Sequence, residues 1–503
     1  MLTERHASRI RGVLSCFDRV VIQGTLPQIA HAQAFTRELS RRRIRIFDFT
    51  QFTQPLRDLI RENAEKLAGE NGIAIEFIRH IKAFRKEDRV QQLIAERGTH
   101  PGLVHVFSAM ESCPSFKPWH DKTSGKTFLK PDSGRCIHYY FYFIDPDLGL
   151  CHVRVPTWAP FRLQFCMNGH NWLAIRLKRE RIGFQLVDNA FADIADFARA
   201  QEIADRLKPQ TLHRKLEGFA RQFCPAASEF QAGYHWSLMQ TEYATDIVFK
   251  SKEDLAPLYD HLVRSAVHVV RAEHVATFLG KKLDLRYLGE VGNDFNTRIQ
   301  GTRIRHQMGR VALKMYDKFG HILRIETVVN DVSFFKHHRT VDHRDGSQET
   351  KLAPVKKTLY SLPVVAELLR ASNRRYLEFL SSLDDDSRGR RHLDRLSCPV
   401  RDDHRSYRGL NFFAPLDRDL LLTIARGEFN LRGFQVRDLH RILSHLTGPQ
   451  ISRAVKRLRK HRLLKAVQGT YRYYPTRLGR RVIAAAFRLR EGAIIPALAG
   501  IPA

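Results

Sequence analysis

The sequence predicts an α+β, multidomain protein, and three observations carry that reading. Strand-like and helical runs are mixed through the first 345 residues. A charged, loop-rich stretch interrupts them at 340–415. Regular amphipathic helices with two short strands resume at 416–503. The chain therefore divides into a mixed α/β N-terminal domain (1–210) and an α+β central domain with the candidate active site (211–345). A charged helical connector (346–415) and a C-terminal module (416–503) follow. At 503 residues the chain exceeds one ordinary core, and 43% hydrophobic residues exclude wholesale disorder.

Taken in order, FDRVVIQGTL (17–26) reads as a buried strand ending in a glycine turn, followed by helices at 31–42 and 54–67. β-type residues recur at 103–107. CIHYYFYFI (136–144), the turn DPDLG and LCHVRV (150–155) form the clearest hairpin. Helices cover 193–206 and 212–223. The central domain opens on SLMQTEYATDIVF (237–249) and passes through helical 255–278. It closes on VALKMYDK (311–318) and HILRIETVV (321–329), joined at Phe319-Gly320. In the connector, a helix at 362–383 lies between the charged runs HRDGSQETK and DDDSRGRRH.

Charge gives the first functional clue. Lys and Arg number 83 against 53 Asp and Glu, a formal +30, and such a surplus attracts polyanions. The seven cysteines are scattered, odd in number and without a C-x-x-C pair, which excludes a disulfide framework and a zinc ribbon. No run approaches the roughly 18 apolar residues of a membrane span. A cytoplasmic protein without membrane partners is expected. No P-loop, G-x-G-x-x-G, H-E-x-x-H or G-x-S-x-G occurs, which disfavours nucleotide hydrolysis, dinucleotide binding and the commonest hydrolase designs.

From Asp417 the pattern becomes specific. Helices fit 417–429 and 434–446, and Thr447-Gly448-Pro449-Gln450 then supplies a capping box. The helix that it opens places Ile451, Val455 and Leu458 on one face. Arg453, Lys456, Arg457, Arg459, Lys460 and Arg462 occupy the other. Strands at 463–467 and 471–474, the latter with Arg472, precede a last helix from Thr476. Between Arg441 and Arg490 there are fourteen Lys or Arg and no Asp or Glu. A solvated helix face ordinarily mixes signs; a single-sign face suits a groove flanked by phosphates. Three helices and a two-stranded wing resemble the winged helix-turn-helix of bacterial MarR-like regulators, which implies DNA binding through those seven basic residues. A winged helix used only for protein contacts is the competing reading.

The central domain carries the candidate chemistry. Gln240, Glu242 and Asp246 share one face of a strand under period-two alternation. If the strands around Gly320 pair, Lys314, Tyr316 and Lys318 share a face, as do Arg324 and Glu326. This order, an acidic strand, then Y-D-K, then R-x-E, resembles rolling-circle replication initiators of the plasmid Rep-trans type and related phage nicking proteins. Gln240 stands where their first motif has Arg. The resemblance implies a divalent-metal-assisted strand transferase, with Mg²⁺ or Mn²⁺ held by Glu242, Asp246 and Glu326. Tyr316 would be the nucleophile, Lys318 would lower its pKa or hold the scissile phosphate, and Arg324 would clamp a phosphate oxygen. Tyr376, behind two arginines, is the reserve nucleophile. The competing reading makes Tyr316 a half-buried strand residue and Arg324–Glu326 members of cross-strand ion pairs.

His337, His338, Asp342 and His343 read as a phosphate-contacting loop rather than a metal site. The runs NGHNW (168–172), VDNAF (187–191) and Phe17-Asp18-Arg19 look like functional turns without an assignable reaction. The expectation is a DNA-binding protein of a replicon or mobile element, with DNA favoured over RNA, acting as a metal-dependent nicking or strand-transfer enzyme. A non-enzymatic winged-helix regulator with a large N-terminal assembly region is the alternative, and an RNA-binding accessory protein is the third reading.

Overall fold

The structure, a computed structural model, describes residues 2–79, 84–231, 233–283, 287, 289–298, 301–343, 345–384, 393–402 and 405–499. The chain forms two compact units, Met1–Asp384 and Asp385–Ala503. Its class is α+β and multidomain: a large sheet with helices in the first unit, helices with short hairpins in the second. Among the described residues no helix is long and apolar enough to cross a membrane.

Unit 1 contains β1 (Ile10–Thr25), β2 (Glu76–Phe77), β3 (Gly102–Asp121), β4 (Lys126–Asp145), β5 (Gly149–Pro156) and β6 (Leu163–Met167). After α1 (Gly169–Arg179) come the hairpin β7 (Phe184–Val187) and β8 (Ala190–Ile194), then β9 (His235–Phe249). β10 (Val291–Arg298), β11 (Gly301–Met308), β12 (Val311–Lys318) and β13 (Ile322–Val329) follow. Among the described residues eleven strands form one sheet in the order β10-β11-β12-β13-β9-β1-β6-β5-β4-β3-β2. β1 zips to β9 on one side and to β6 on the other, and β9 in turn pairs with β13. The boundary expected at 210/211 is therefore not a structural one. Strands from both sides of it share a continuous hydrogen-bond ladder and one apolar core, which reaches from Leu2 to Leu380. The glycine turn expected near Gly24 is also absent, since β1 runs on to Thr25. A Cβ at Gly24 would lie 2.7 Å from the Trp236 ring, so close packing rather than a turn calls for glycine there.

All eight residues of β13 are buried, so both of its faces are covered. One cover is α2 (Leu362–Asp384), the helix expected in a connector. Asn373 pins it: its Nδ2 donates to Tyr243 O, Ile325 O and Thr245 Oγ1, and its Oδ1 accepts from Thr327 Oγ1. Paired in this way, the helix belongs to the core of unit 1. The β12–β13 hairpin turns through Phe319, Gly320 and His321, between the paired Lys318 and Ile322, with positive φ at Phe319 and Gly320 (57° and 79°). Tyr316 then faces Arg324, and Lys314 faces Glu326. The expected histidine loop is instead strand β14 (Lys336–Asp342), paired with β15 (Gln348–Pro354). Adjacent His337 and His338 alternate across the strand, so they do not converge.

Unit 2 has its own core of Leu420, Ile424, Phe434, Leu439, Ile451, Val455 and Leu458. Its helices α3 (Pro415–Ile424), α4 (Val436–Ile442) and α5 (Gly448–Lys460) precede a hairpin of Leu464–Val467 with Arg472–Pro475, then α6 (Arg477–Leu489). A further short helix, Gly427–Arg432, lies before α4. The Gln450 side chain accepts from the Thr447 backbone N–H at 2.7 Å, the return half of the capping box.

Candidate functional site

Antiparallel register brings the site together on one face of the sheet. Tyr316, Arg324 and Asp246 stand in one lateral row across β12, β13 and β9, with Lys314 and Glu326 in the next. β1 completes the face at a bulge between Phe17 and Arg19, where Asp18 falls. Asp18, Glu242 and Glu326 each present a carboxylate oxygen within 4.8 Å of the others.

Asp246, expected as a metal ligand, is absent from that trio. Arg324 holds it bidentately at 2.6 Å through both Nε and Nη2, and both side chains are buried. Burial pushes the Asp246 carboxyl up, but the Arg324 charge outweighs it and the group stays an anion. Arg324 is thus tied into the sheet. Its Nη2 also reaches Asn189 O at 2.7 Å and His170 Nε2 at 3.2 Å. Nη1 alone forms no hydrogen bond and sits 3.5 Å from Asp18 Oδ1.

The three turns without an assigned role supply the rest. Asn168 caps α1, its Oδ1 accepting from the backbone of His170 and Asn171. A Cβ at Gly169 would lie 2.1 Å from Phe17 O, so glycine lets α1 rest directly on the β1 bulge. That contact sets His170 Nδ1 3.1 Å from Asp18 Oδ1. Asn189, in the β7–β8 turn, donates to both Asp18 oxygens at 2.7 and 2.9 Å. Burial raises the Asp18 carboxyl, yet His170, 3.1 Å away, and the Arg324 charge bring it well below the usual range. Glu326 goes the other way. Burial, together with Asp18 and Glu242, holds it up at about 7 despite the Lys314 ammonium 2.7 Å away.

Tyr316 lines a cleft of about 620 Å³ with Lys252, Arg303, Lys314 and Lys318. The expected activation of its phenol by Lys318 is not what the geometry provides. The Lys318 ammonium is held by Asn189 Oδ1 and, at 3.2 Å, by Asp188. Burial, with Glu326 close by, pushes the Tyr316 hydroxyl well above its ordinary pKa. Tyr376, the reserve nucleophile, is fully buried beneath the sheet and bonded to His306 at 2.9 Å, which removes it from any surface chemistry. A second cleft, lined by Asp18 and Glu242, shares Asp188 and Asn189 with the first.

In unit 2, Arg453, Lys456, Arg459 and Arg462 are exposed, while Lys460 and Arg472 are half-buried, Lys460 paired with Asp402. Arg457 departs from the expected basic face. It turns inward to the buried carboxylate of Asp417, because position 457 borders the Val455–Leu458 seam.

Asp18, His170 and Asn189 meet across large sequence separations, and such pairings leave no periodic trace in the sequence. No family model and no curated protein matches the sequence. Among solved structures, the di-domain ARO/CYC BexL from the BE-7585A biosynthetic pathway aligns with 60% of this chain and 91% of its own. The identity is 10% and the TM-score 0.11, too slight a likeness to support any statement of fold or function.

Proposed function

We propose that the chain is a DNA-binding protein of a replicon or mobile element with a divalent-metal-dependent nicking or strand-transfer centre in unit 1. Unit 2 is then a winged helix that docks duplex DNA through Arg453, Lys456, Arg459 and Arg462. One observation carries the reading: three carboxylates from three neighbouring strands meet within 4.8 Å, beside a cleft bearing four Lys or Arg. The donor set is all oxygen, which suits Mg²⁺ or Mn²⁺. Bound there, such an ion would neutralise the trio, ease ionisation of Tyr316 and polarise the scissile phosphate. Asn189, His170 and Arg324 hold Asp18 in place. Lys314 and Lys318 position backbone phosphate; the Tyr316 oxygen loses its proton to water and forms a bond to phosphorus, and the bond from phosphorus to the deoxyribose oxygen breaks, that oxygen taking up a proton from water.

The full-length protein, incubated with Mg²⁺ or Mn²⁺ and single-stranded or supercoiled DNA from its own locus, should form a covalent adduct that survives denaturant. Tyr316→Phe should lose the adduct, and Glu242→Gln should lose all cleavage. Absence of cleavage with either metal would sink the enzymatic reading. A non-enzymatic regulator is then favoured by one observation: Arg324 and Asp246 hold each other bidentately as a buried pair.

A further inference from the structure

Two clefts of opposite character meet at Asp188 and Asn189, and Asp18 and Glu242 of the trio line the second. The first is cationic and suits a phosphodiester backbone. The second, about 760 Å³, extends over β1, β4, β5 and β6 to the helix Lys86–Arg97. Glu87, Asp88 and Asp188 join Asp18 and Glu242 on its walls, and Arg19 is the one cation among its lining residues. Phosphate would be repelled there.

The carboxylates are mostly engaged already. Glu87 accepts from Tyr142 Oη at 3.3 Å, and Asp188 binds Lys318. Among the groups that remain, Asp88 is charged and three side chains are neutral. The side chains of Gln91, Asn171 and His152 line the cleft and form no hydrogen bond with another described residue. Burial and the nearby Arg19 hold His152 at about 3, so its ring is uncharged near neutrality. Tyr142 backs that ring at a centroid distance of 4.7 Å and 31°. Such a wall offers a flat face flanked by donor and acceptor groups. A planar, uncharged ligand with hydrogen-bonding edges fits it, and a base splayed from a single strand has that chemistry.

We propose that this second cleft is a nucleobase subsite. It takes an unpaired base beside the phosphodiester at the trio, with His152 as the stacking surface and Gln91 and Asn171 reading the base edge. The assignment rests on the nucleic-acid reading above and adds the element that selects the strand position presented to the trio. The backbone runs through the cationic cleft and the adjoining base turns into the acidic one, with Asp188 and Asn189 at the junction.

The test measures binding without cleavage. Full-length protein in EDTA is titrated with single strands of about 12 nucleotides: oligo-dA, oligo-dC, oligo-dT and a wholly abasic strand. At least one base-bearing strand should bind at least about fivefold more tightly than the abasic one, the weak end of base–aromatic stacking. His152→Ala should bring that ratio to one with abasic affinity unchanged. Gln91→Ala, an exposed change that cannot unfold the sheet, should alter the ranking of the bases. Crosslinks from 4-thiothymidine should map to peptides containing Gln91, His152 or Asn171. Equal binding of abasic and base-bearing strands, or crosslinks confined to other peptides, overturns the subsite. Base preference retained in a protein that never cleaves would refute the nicking chemistry alone; cleavage without base preference would refute the subsite alone.

Discussion

Asp246→Asn tests whether the buried pair, rather than a metal, is the role of Asp246. The substitution keeps the volume and removes the charge, leaving the fully buried Arg324 guanidinium without its bidentate partner at 2.6 Å. Removing one member of a buried pair typically costs about 3–5 kcal/mol, because the other charge stays desolvated. Asp18, 3.5 Å from Nη1, offsets part of this, so the expected loss is about 3 kcal/mol. All four tryptophans, Trp119, Trp158, Trp172 and Trp236, lie in unit 1, so urea unfolding followed by their fluorescence reports that unit alone. The double change Asp246→Leu with Arg324→Met removes both charges and should recover most of the loss, as apolar replacements of buried pairs do. Mn²⁺ should still raise the midpoint of folded Asp246→Asn but not that of Glu242→Gln, since only Glu242 belongs to the trio. A loss below about 1 kcal/mol in Asp246→Asn would refute the reasoning, for that is the range of exposed pairs.

Other outcomes follow from the same structure. Arg457→Ala should destabilise unit 2 by about 3 kcal/mol through the buried Asp417 it abandons. Exposed Arg453→Ala should leave stability within about 0.5 kcal/mol and lower the salt slope of duplex binding by about one; the reverse pattern would place Arg457 on the DNA face. Gly169→Ala should cost unit 1 about 1–3 kcal/mol by forcing α1 off the Phe17 carbonyl, and an unchanged urea midpoint would refute that close approach. Burial holds His306 at about 4, below its ordinary 6.5, whereas the unfolded chain takes up that proton near 6.5. Its contribution is complete above pH 6.5 and is lost as pH falls from 6.5 to 4, at about 1.4 kcal/mol per pH unit. His306→Gln should remove that increment from the pH dependence of the urea midpoint, and an unaltered slope would refute it.

Local sequence was enough to determine the hairpin that carries Tyr316 and Arg324. Alternation with period two assigns the faces of both strands and Phe319-Gly320 marks the turn, but the facing of Lys314 with Glu326 depends on His321, the third residue between paired Lys318 and Ile322. The order of helices and strands in 416–503 was legible for the same reason, since amphipathic spacing and a capping box act within a turn or two. Tertiary structure decided the partners. Asp18 reaches the trio through a bulge that shifts the register of β1, and alternation in the sequence cannot register an extra residue. Asp246 and Glu242 lie on the same strand face, yet one meets Arg324 and the other the trio, because Asp246 is level with Arg324 on β13 while Glu242 lies two rows along, beside the β1 bulge that holds Asp18. Arg457 looked like its basic neighbours until Asp417, forty residues away, was folded against it. Pairings across such separations depend on which strands and helices become adjacent, and that is settled by burial of the whole apolar core rather than by any local pattern.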